Sequence, residues 1–216
     1  MCPANLSEST NIAIIDVDLA GAIQLVDALN SLGANAIVTE SRDVATNSAG
    51  LIIASSAGFE TTIEKITAQR FEEVIERRLA GGRPVLGIGT GMQILFEKFE
   101  ADSTQAVGLG EWPGTIEEIG AFAKQRGGLI KVDAGENSKL FSEIKHESFW
   151  FENDAALKTW SLEVHGAFRR PSVSLTSGPE PFVAAVENGP LSAVQFLPEK
   201  SGDAGLKMLG NWINSL

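Results

Sequence analysis

Residues 84–93 read PVLGIGTGMQ. Val85 and Leu86 form a short apolar strand that runs into Gly87-Ile88-Gly89-Thr90-Gly91, and a helix-like stretch follows from Met92 to Lys98. Strand, tight glycine turn and helix in that order are the layout of a nucleophile elbow, G-x-(Ser/Cys)-x-G, which holds a reactive side chain on a sharp turn for acyl transfer. Here the central residue is Gly89, which has no side chain to react. The same residues also suit a plain strand-helix connection, whose free N–H groups attract an anion weakly. A dinucleotide fingerprint needs G-x-G-x-x-G near the first strand and a Walker loop needs G-K-(S/T); neither occurs.

The remaining candidates carry less chemistry. Thr90 is no substitute nucleophile, because an elbow projects only its central residue, so Thr90 is expected to pack inward. His146 and His165 lie in the polar strings KHES and EVHG and read as solvated histidines. Glu72, Glu73 and Glu76 read as the wet face of a helix. Cys2 is the single cysteine and there are only two histidines, so neither an internal disulfide nor a Cys- or His-rich metal centre is expected. No cofactor motif is present. A net charge of −11 argues against nucleic acid and anionic membranes as partners. No stretch has the length and apolarity of a membrane span, and MCPANLSEST lacks the regions of a secretory signal, which points to the cytoplasm.

The elements that must position the turn follow from periodicity. Short β-branched runs at Asn11–Asp16, Ala36–Thr39 and Leu51–Ala54 predict buried strands. Between them, apolar residues at 19, 23, 26 and 29 predict a helix that Gly33 stops. A further helix is expected from Thr61 to Leu79. Such alternation implies βαβ units and a mainly parallel sheet with helices on both faces. Ligands bind such sheets beyond the carboxyl ends of the strands, where residues 87–91 fall. After residue 105, segments at 115–119, 129–132, 149–151, 173–175, 183–186 and 193–196 predict short strands, several antiparallel, before a closing helix at Ala204–Asn214. The expected organisation is a loose leader, 1–10, and one α/β domain, 11–216.

One further string gives the elbow a context. With the glycine turn, VQFLPEKSG at 194–202 resembles the class I glutamine amidotransferases, whose elbow reads G-x-C-x-G-x-Q and whose second signature, V-x-F-H-P-E, completes a Cys-His-Glu triad. The resemblance is closest to the glutaminase subunit of imidazole glycerol phosphate synthase, in histidine biosynthesis. Strings near PVLGICLGMQLLFE and GVQFHPEKSG-AGL in that family stand here as PVLGIGTGMQILFE (84–97) and AVQFLPEKSGDAGL (193–206). NIAIID (11–16), LIIASSAGF (51–59) and EPFVAAVENG (180–189) extend it over nearly the whole chain.

The resemblance implies a flavodoxin-like amidotransferase fold and puts Gly89 at the nucleophile, Leu197 at the base and Glu199 at the triad carboxylate, the only member retained. It implies a glutamine pocket at Gly91, Gln93 and the Thr90 backbone. The family's P-G-V-G-A oxyanion loop corresponds to Ala54-Ser55-Ser56-Ala57-Gly58. The P-H-M-G-W-N segment that faces a (β/α)8-barrel cyclase corresponds to Val132–Asn137, which keeps Gly135 and Asn137. Glycine preserves a positive-φ turn while deleting the thiolate, and losing a nucleophile or base in a triad hydrolase costs on the order of 10⁶ in turnover. The expected function is a catalytically inactive glutaminase-like subunit that forms a heterodimer with a cyclase. The alternatives are a binding module for glutamine, another amino acid or an anion, and an enzyme of altered chemistry, for which no replacement nucleophile-base pair is visible.

Overall fold

Four β-branched runs in the first half form strands because their side chains pack well on a pleated surface, buried for three of them and half-open for the edge run at 35–39. In the computed structural model, which describes residues 10–15, 17, 19–101, 103–120, 127–160 and 170–216, the order begins β1 (Asn11–Ile15), α1 (Leu19–Ser31), β2 (Asn35–Thr39), α2 (Arg42–Asn47) and β3 (Gly50–Ser55). It continues α3 (Phe59–Ala68), α4 (Phe71–Ala80), β4 (Val85–Gly89) and the single turn α5 (Thr90–Gln93). Then come β5 (Phe96–Ala101), β6 (Thr104–Val107), β7 (Trp112–Glu118), β8 (Gly128–Asp133), β9 (Ser148–Phe151), β10 (Ala155–Ala156), β11 (Ser172–Thr176), β12 (Val183–Asn188) and β13 (Leu191–Val194). A 3-10 turn at Pro198–Lys200 and α6 (Gly202–Ile213) close the chain. Residues 1–9 of the expected leader, with Cys2, and also Asp16 and His165, lie outside the described residues.

Nine strands form the main sheet in the order β2-β1-β3-β4-β13-β12-β11-β8-β9. Pairing is parallel from β2 to β13 and antiparallel from β13 to β9. The α/β class, the mainly parallel first half and the antiparallel second half all match expectation. Helices cover both faces: α1 and α6 bury Leu25, Leu29, Leu209 and Trp212 on one, and α3 and α4 bury Phe59, Ile66, Phe71 and Ile75 on the other. That second face also carries a four-stranded sheet, β10-β7-β5-β6, which was not anticipated. No helix among the described residues is long and apolar enough to cross a membrane.

Three helix expectations need correction. The helix expected over 61–79 breaks where Arg70 adopts φ 57, a left-handed conformation, and α4 restarts at Phe71. The stretch from Met92 to Lys98 is helical only to Gln93. Its continuation is blocked because the carbonyls of Ile94 and Leu95 accept the N–H groups of Leu109 (2.7 Å) and Trp112 (3.1 Å), partners distant in sequence. In α1, Ile23 is 55% exposed, and the buried stripe runs instead through Ala22, Leu25, Ala28 and Leu29.

The antiparallel half curls so that its last strand returns to the turn after β13. Phe196 stacks on Phe149 at 4.2 Å between ring centroids and meets Phe151 edge-on at 5.6 Å. Leu197 N–H donates to the Trp150 carbonyl (2.9 Å), and Trp150 N–H donates to Ser201 Oγ (2.9 Å). These contacts hang the 195–201 segment beside the end of β4.

The entries to β3 and β4 are fixed by Arg78, which is fully buried. Its Nη1 donates to the carbonyls of Ala45, Thr46 and Ser48, and its Nη2 to those of Ala49 and Pro84, all at 2.9–3.1 Å. Burial, with Arg83 nearby, lowers its pKa to about 10, so it stays charged at neutral pH. A planar fork can satisfy diverging carbonyls that a compact ammonium cannot. Replacing Arg78 by Met strips donors from several buried carbonyls and is expected to cost about 3 kcal/mol or more, with Arg78→Lys giving little rescue. Urea denaturation midpoints check this; a wild-type midpoint for Arg78→Met contradicts it.

Candidate functional site

The three glycines of 87–91 are required for different reasons. A Cβ on Gly91 would lie 1.9 Å from the Ile53 carbonyl oxygen, and one on Gly87 would lie 2.8 Å from the Gly91 oxygen. These two positions exclude any side chain by space. At Gly89 the constraint is conformational: φ is 61° and ψ is −123°, a region that costs other residues roughly 1–3 kcal/mol. The turn therefore has the backbone of an elbow rather than of a relaxed connection. A Cβ there would point at the Ser55 carbonyl oxygen (3.0 Å) and at Leu197 Cδ2 (3.3 Å).

Gly89, Leu197 and Ser55 are thus brought together from positions far apart in sequence. Register explains two of the contacts: Ser55 on β3 pairs with Gly89 on β4, and Val194 on β13 pairs with Ile88. Leu197, 6% exposed, is held by its N–H bond to Trp150 and by Ser201 Oγ, which donates to its carbonyl at 2.7 Å. Its apolar side chain occupies the space facing the elbow.

Glu199 sits in the 3-10 turn that follows. Its Oε2 is occluded and has no hydrogen-bond partner among the described residues. Burial pushes its carboxyl pKa up, against smaller opposing effects of its own backbone N–H and of Lys200. Lys200 instead bridges both oxygens of Glu152 at 2.9 and 3.1 Å, and Trp150 Nε1 also donates to that carboxylate.

The 54–58 loop is closed on itself. Ser55 Oγ lies 2.8 Å from Thr62 Oγ1 and accepts the Ala57 N–H at 3.1 Å, while Thr62 Oγ1 donates to the Gly58 carbonyl at 3.0 Å. Ala54 is half-buried, Ser56 is exposed, and Gly58 caps α3 without any side-chain bond.

The expected pocket residues are buried rather than presented. Thr90 is buried, in line with a packing role, and so is Gln93, whose Nε2 donates to the Ala155 carbonyl at 2.7 Å. Gln195 lies inside VQFLPE, between the buried Val194 and Phe196. It is fully buried, follows Val194 beside the elbow, and neither amide atom has a partner among the described residues. No local pattern distinguishes it from a surface glutamine; its burial follows from the pairing of β13 with β4 and β12.

His146 is solvent-exposed and pairs with Asp133 (3.3 Å) on β8, as expected of a surface histidine. In the 132–137 segment, Gly135 is pressed against strand β11, with a Cβ position 2.5 Å from the Val173 carbonyl oxygen, and Asn137 has φ 59. Glu187 accepts the N–H groups of Lys139 (2.9 Å) and Leu140 (3.2 Å) and holds Ser138 Oγ, so this irregular stretch is firmly anchored. Among the described residues no group of three His, Cys, Asp or Glu is placed to hold a metal. A cavity of about 400 Å³ is lined by Pro113, Gly114, Thr159 and Trp160 and shares no residue with the elbow.

Comparison with known proteins gives a consistent picture. Residues 13–215 match the family model described as glutamine amidotransferase class-I. The chain is 46% identical over 191 residues to imidazole glycerol phosphate synthase subunit HisH of Leifsonia xyli, covering 88% of this chain and 91% of that protein. It is 39% identical over 213 residues to the HisH subunit of Streptomyces avermitilis, covering 98% and 99%. Among solved structures it is similar to a glutamine amidotransferase (TM-score 0.71, 15% identity, covering 95% and 99%) and to PurLQS from Thermotoga maritima (TM-score 0.67, 13% identity, covering 96% and 99%), which supports the fold alone.

Two predictions follow from the geometry. Gly89→Ala is expected to fold with a penalty of about 1–3 kcal/mol from its backbone conformation, whereas Gly91→Ala, aimed into the Ile53 carbonyl, is expected not to accumulate as soluble protein. Equal thermal stability of the two variants contradicts this reading. For Glu199, a raised folded-state pKa means that ionisation opposes folding, so its stability contribution is complete below the ordinary carboxyl range and is lost as pH rises through the raised pKa. Glu199→Gln should therefore raise the melting temperature near pH 8 and give no gain near pH 4. A gain that does not change with pH would place the carboxylate outside this account.

Proposed function

The chain belongs to the class-I glutamine amidotransferase family, and from that premise we propose that it is a catalytically silent counterpart of the glutaminase subunit, retained as a binding or regulatory partner of a (β/α)8-barrel cyclase. One observation carries this reading. The position facing the elbow is filled by Leu197 Cδ2, 3.3 Å from where a Cβ on Gly89 would stand, so position 89 offers no nucleophile and position 197 no base. Removing either alone costs on the order of 10⁶ in turnover. The relatives that the chain resembles over nearly their whole length are named as subunits of imidazole glycerol phosphate synthase, which supports a cyclase as the partner. A cyclase held in such a heterodimer would take free ammonia, since the missing chemistry only delivers it.

One feature favours retained docking. The 134–144 stretch is irregular, yet Glu187 and Asn211 hold it, the latter through bonds to the carbonyls of Leu140 and Ser142 at 2.9 Å. Ordering before binding lowers the entropic cost of association. The alternative, a glutamine- or anion-binding module, is supported less well, because Leu197 fills the vacated space and the Gln93 amide donates to Ala155. The acidity of the chain fits neither nucleic acid nor an anionic membrane.

The test is co-expression with the barrel cyclase of the same organism. Co-elution at one to one is expected; a cyclase that remains free while binding an active glutaminase subunit contradicts the proposal. Chemistry can also be rebuilt stepwise. Gly89→Cys restores a thiol that lacks a histidine to lower its pKa and protonate the leaving amine, and Leu197→His offers Glu199 an imidazole to orient. Each single variant is expected near background and the double variant measurably above both. Full turnover from Gly89→Cys alone would remove the role inferred for position 197.

A further inference from the structure

We propose that the side-chain amide of Gln195 is a binding site for a single buried water molecule, set at the carboxyl end of β13 on the face of the main sheet that carries α5. Gln195 follows the last residue of β13, and its N–H donates to the Ala184 carbonyl at 2.8 Å, so it extends the ladder with β12 by one residue. Val194 and Phe196 on either side of it pack into the core under α1 and α6, whereas Ala193 packs into the core of the opposite face. Alternation along an extended chain sends the Gln195 side chain to the face of Ala193, which it shares with Met92 and Ile94.

The amide is enclosed and the protein does not satisfy it. Gln195 is fully buried, and neither Oε1 nor Nε2 has a hydrogen-bond partner among the described residues. A primary amide offers two N–H donors and an oxygen with two lone pairs, and buried groups of that kind are seldom left unpaired. Two other buried polar side chains from neighbouring elements are committed elsewhere, Ser55 to Thr62 and Gln93 to the Ala155 carbonyl.

Charge and space then decide the ligand. Arg78 is the only charged side chain that is fully buried among the described residues. It binds the carbonyls of Ala49 and Pro84, just before β3 and β4. Because β13 runs parallel to β4, Gln195 lies at the other end of the sheet. The turn that carries Glu199 packs against α1 and α6, on the opposite face. An ion beside the amide would therefore be buried without a counter-charge, which is strongly unfavourable. A larger neutral molecule has no room: on this face a Cβ on Gly87 would lie 2.9 Å from Leu95 Cδ1, and one on Gly91 1.9 Å from the Ile53 carbonyl oxygen. Water is the molecule of one heavy atom that both donates and accepts, and buried waters typically make about three hydrogen bonds.

Two measurements on the unmodified chain test the site. Isotope-edited NMR follows the Gln195 side-chain N–H pair, assigned by its loss in Gln195→Met. Cross-peaks from that pair to water are expected with opposite signs in the laboratory and rotating frames, the signature of a held water as distinct from proton exchange. A crystal structure is expected to place a water oxygen about 2.7–3.2 Å from Oε1 or Nε2, and Gln195→Met is expected to lose that water while keeping the fold. Should Gln195→Met fail to fold, the crystal structure of the unmodified chain decides alone. An amide that bonds only protein atoms, or one with no water oxygen within reach, overturns the proposal, and so does density for an ion or a larger molecule in that place.

Discussion

The first turn of α5 rests on β3 with no space between the two backbones. A Cβ on Gly91 would lie 1.9 Å from the carbonyl oxygen of Ile53, so the helix start cannot be raised off the sheet by even one methyl group. The chain leaving β4 must therefore reverse within a single residue, and Gly89 takes up φ 61° and ψ −123° to do so. Gly87 closes the same turn from the other side, 2.8 Å from the Gly91 oxygen. The shape of the elbow is a consequence of packing. It does not depend on the side chain that an elbow normally presents, which is why the turn persists with hydrogen in that place.

The side chains around the turn are fixed by separate contacts. Leu197 Cδ2 lies 3.3 Å from where a Cβ on Gly89 would stand, so the space in front of the turn is filled by an apolar side chain that favours burial. Glu199 Oε2 is occluded without a hydrogen-bond partner among the described residues, and burial raises its pKa. The aromatic cluster of Phe141, Phe149, Phe151 and Phe196 anchors the whole 195–201 turn independently of either residue. A fold held by such contacts keeps the outline of the turn without any reactive group at 89 or 197, as the proposed function requires.

Much of this was legible in the amino-acid order. β1, β3 and the strands of the antiparallel half read directly from β-branched runs bounded by glycine and proline, and the glycine spacing located the elbow. The identities at 89, 197 and 199 carried the chemistry because the surrounding strings resemble a known family. The misreadings share one cause. The end of α5 is decided by Leu109 and Trp112, which capture the carbonyls of Ile94 and Leu95, and the break at Arg70 by where α4 must lie to insert Arg78 among the carbonyls of 45–49. The bonds of Ser55 to Thr62 and Ala57, and the isolation of the Gln195 amide, likewise depend on tertiary register that no local pattern encodes.

The central claim is that an intact elbow remains without the means to use it, and ammonia release tests it most directly. The unmodified chain, purified free of contaminating glutaminase and saturated with its barrel cyclase, is given glutamine while ammonia is followed over time. The account predicts a rate indistinguishable from buffer at every protein concentration. Steady release that rises in proportion to the chain would contradict it.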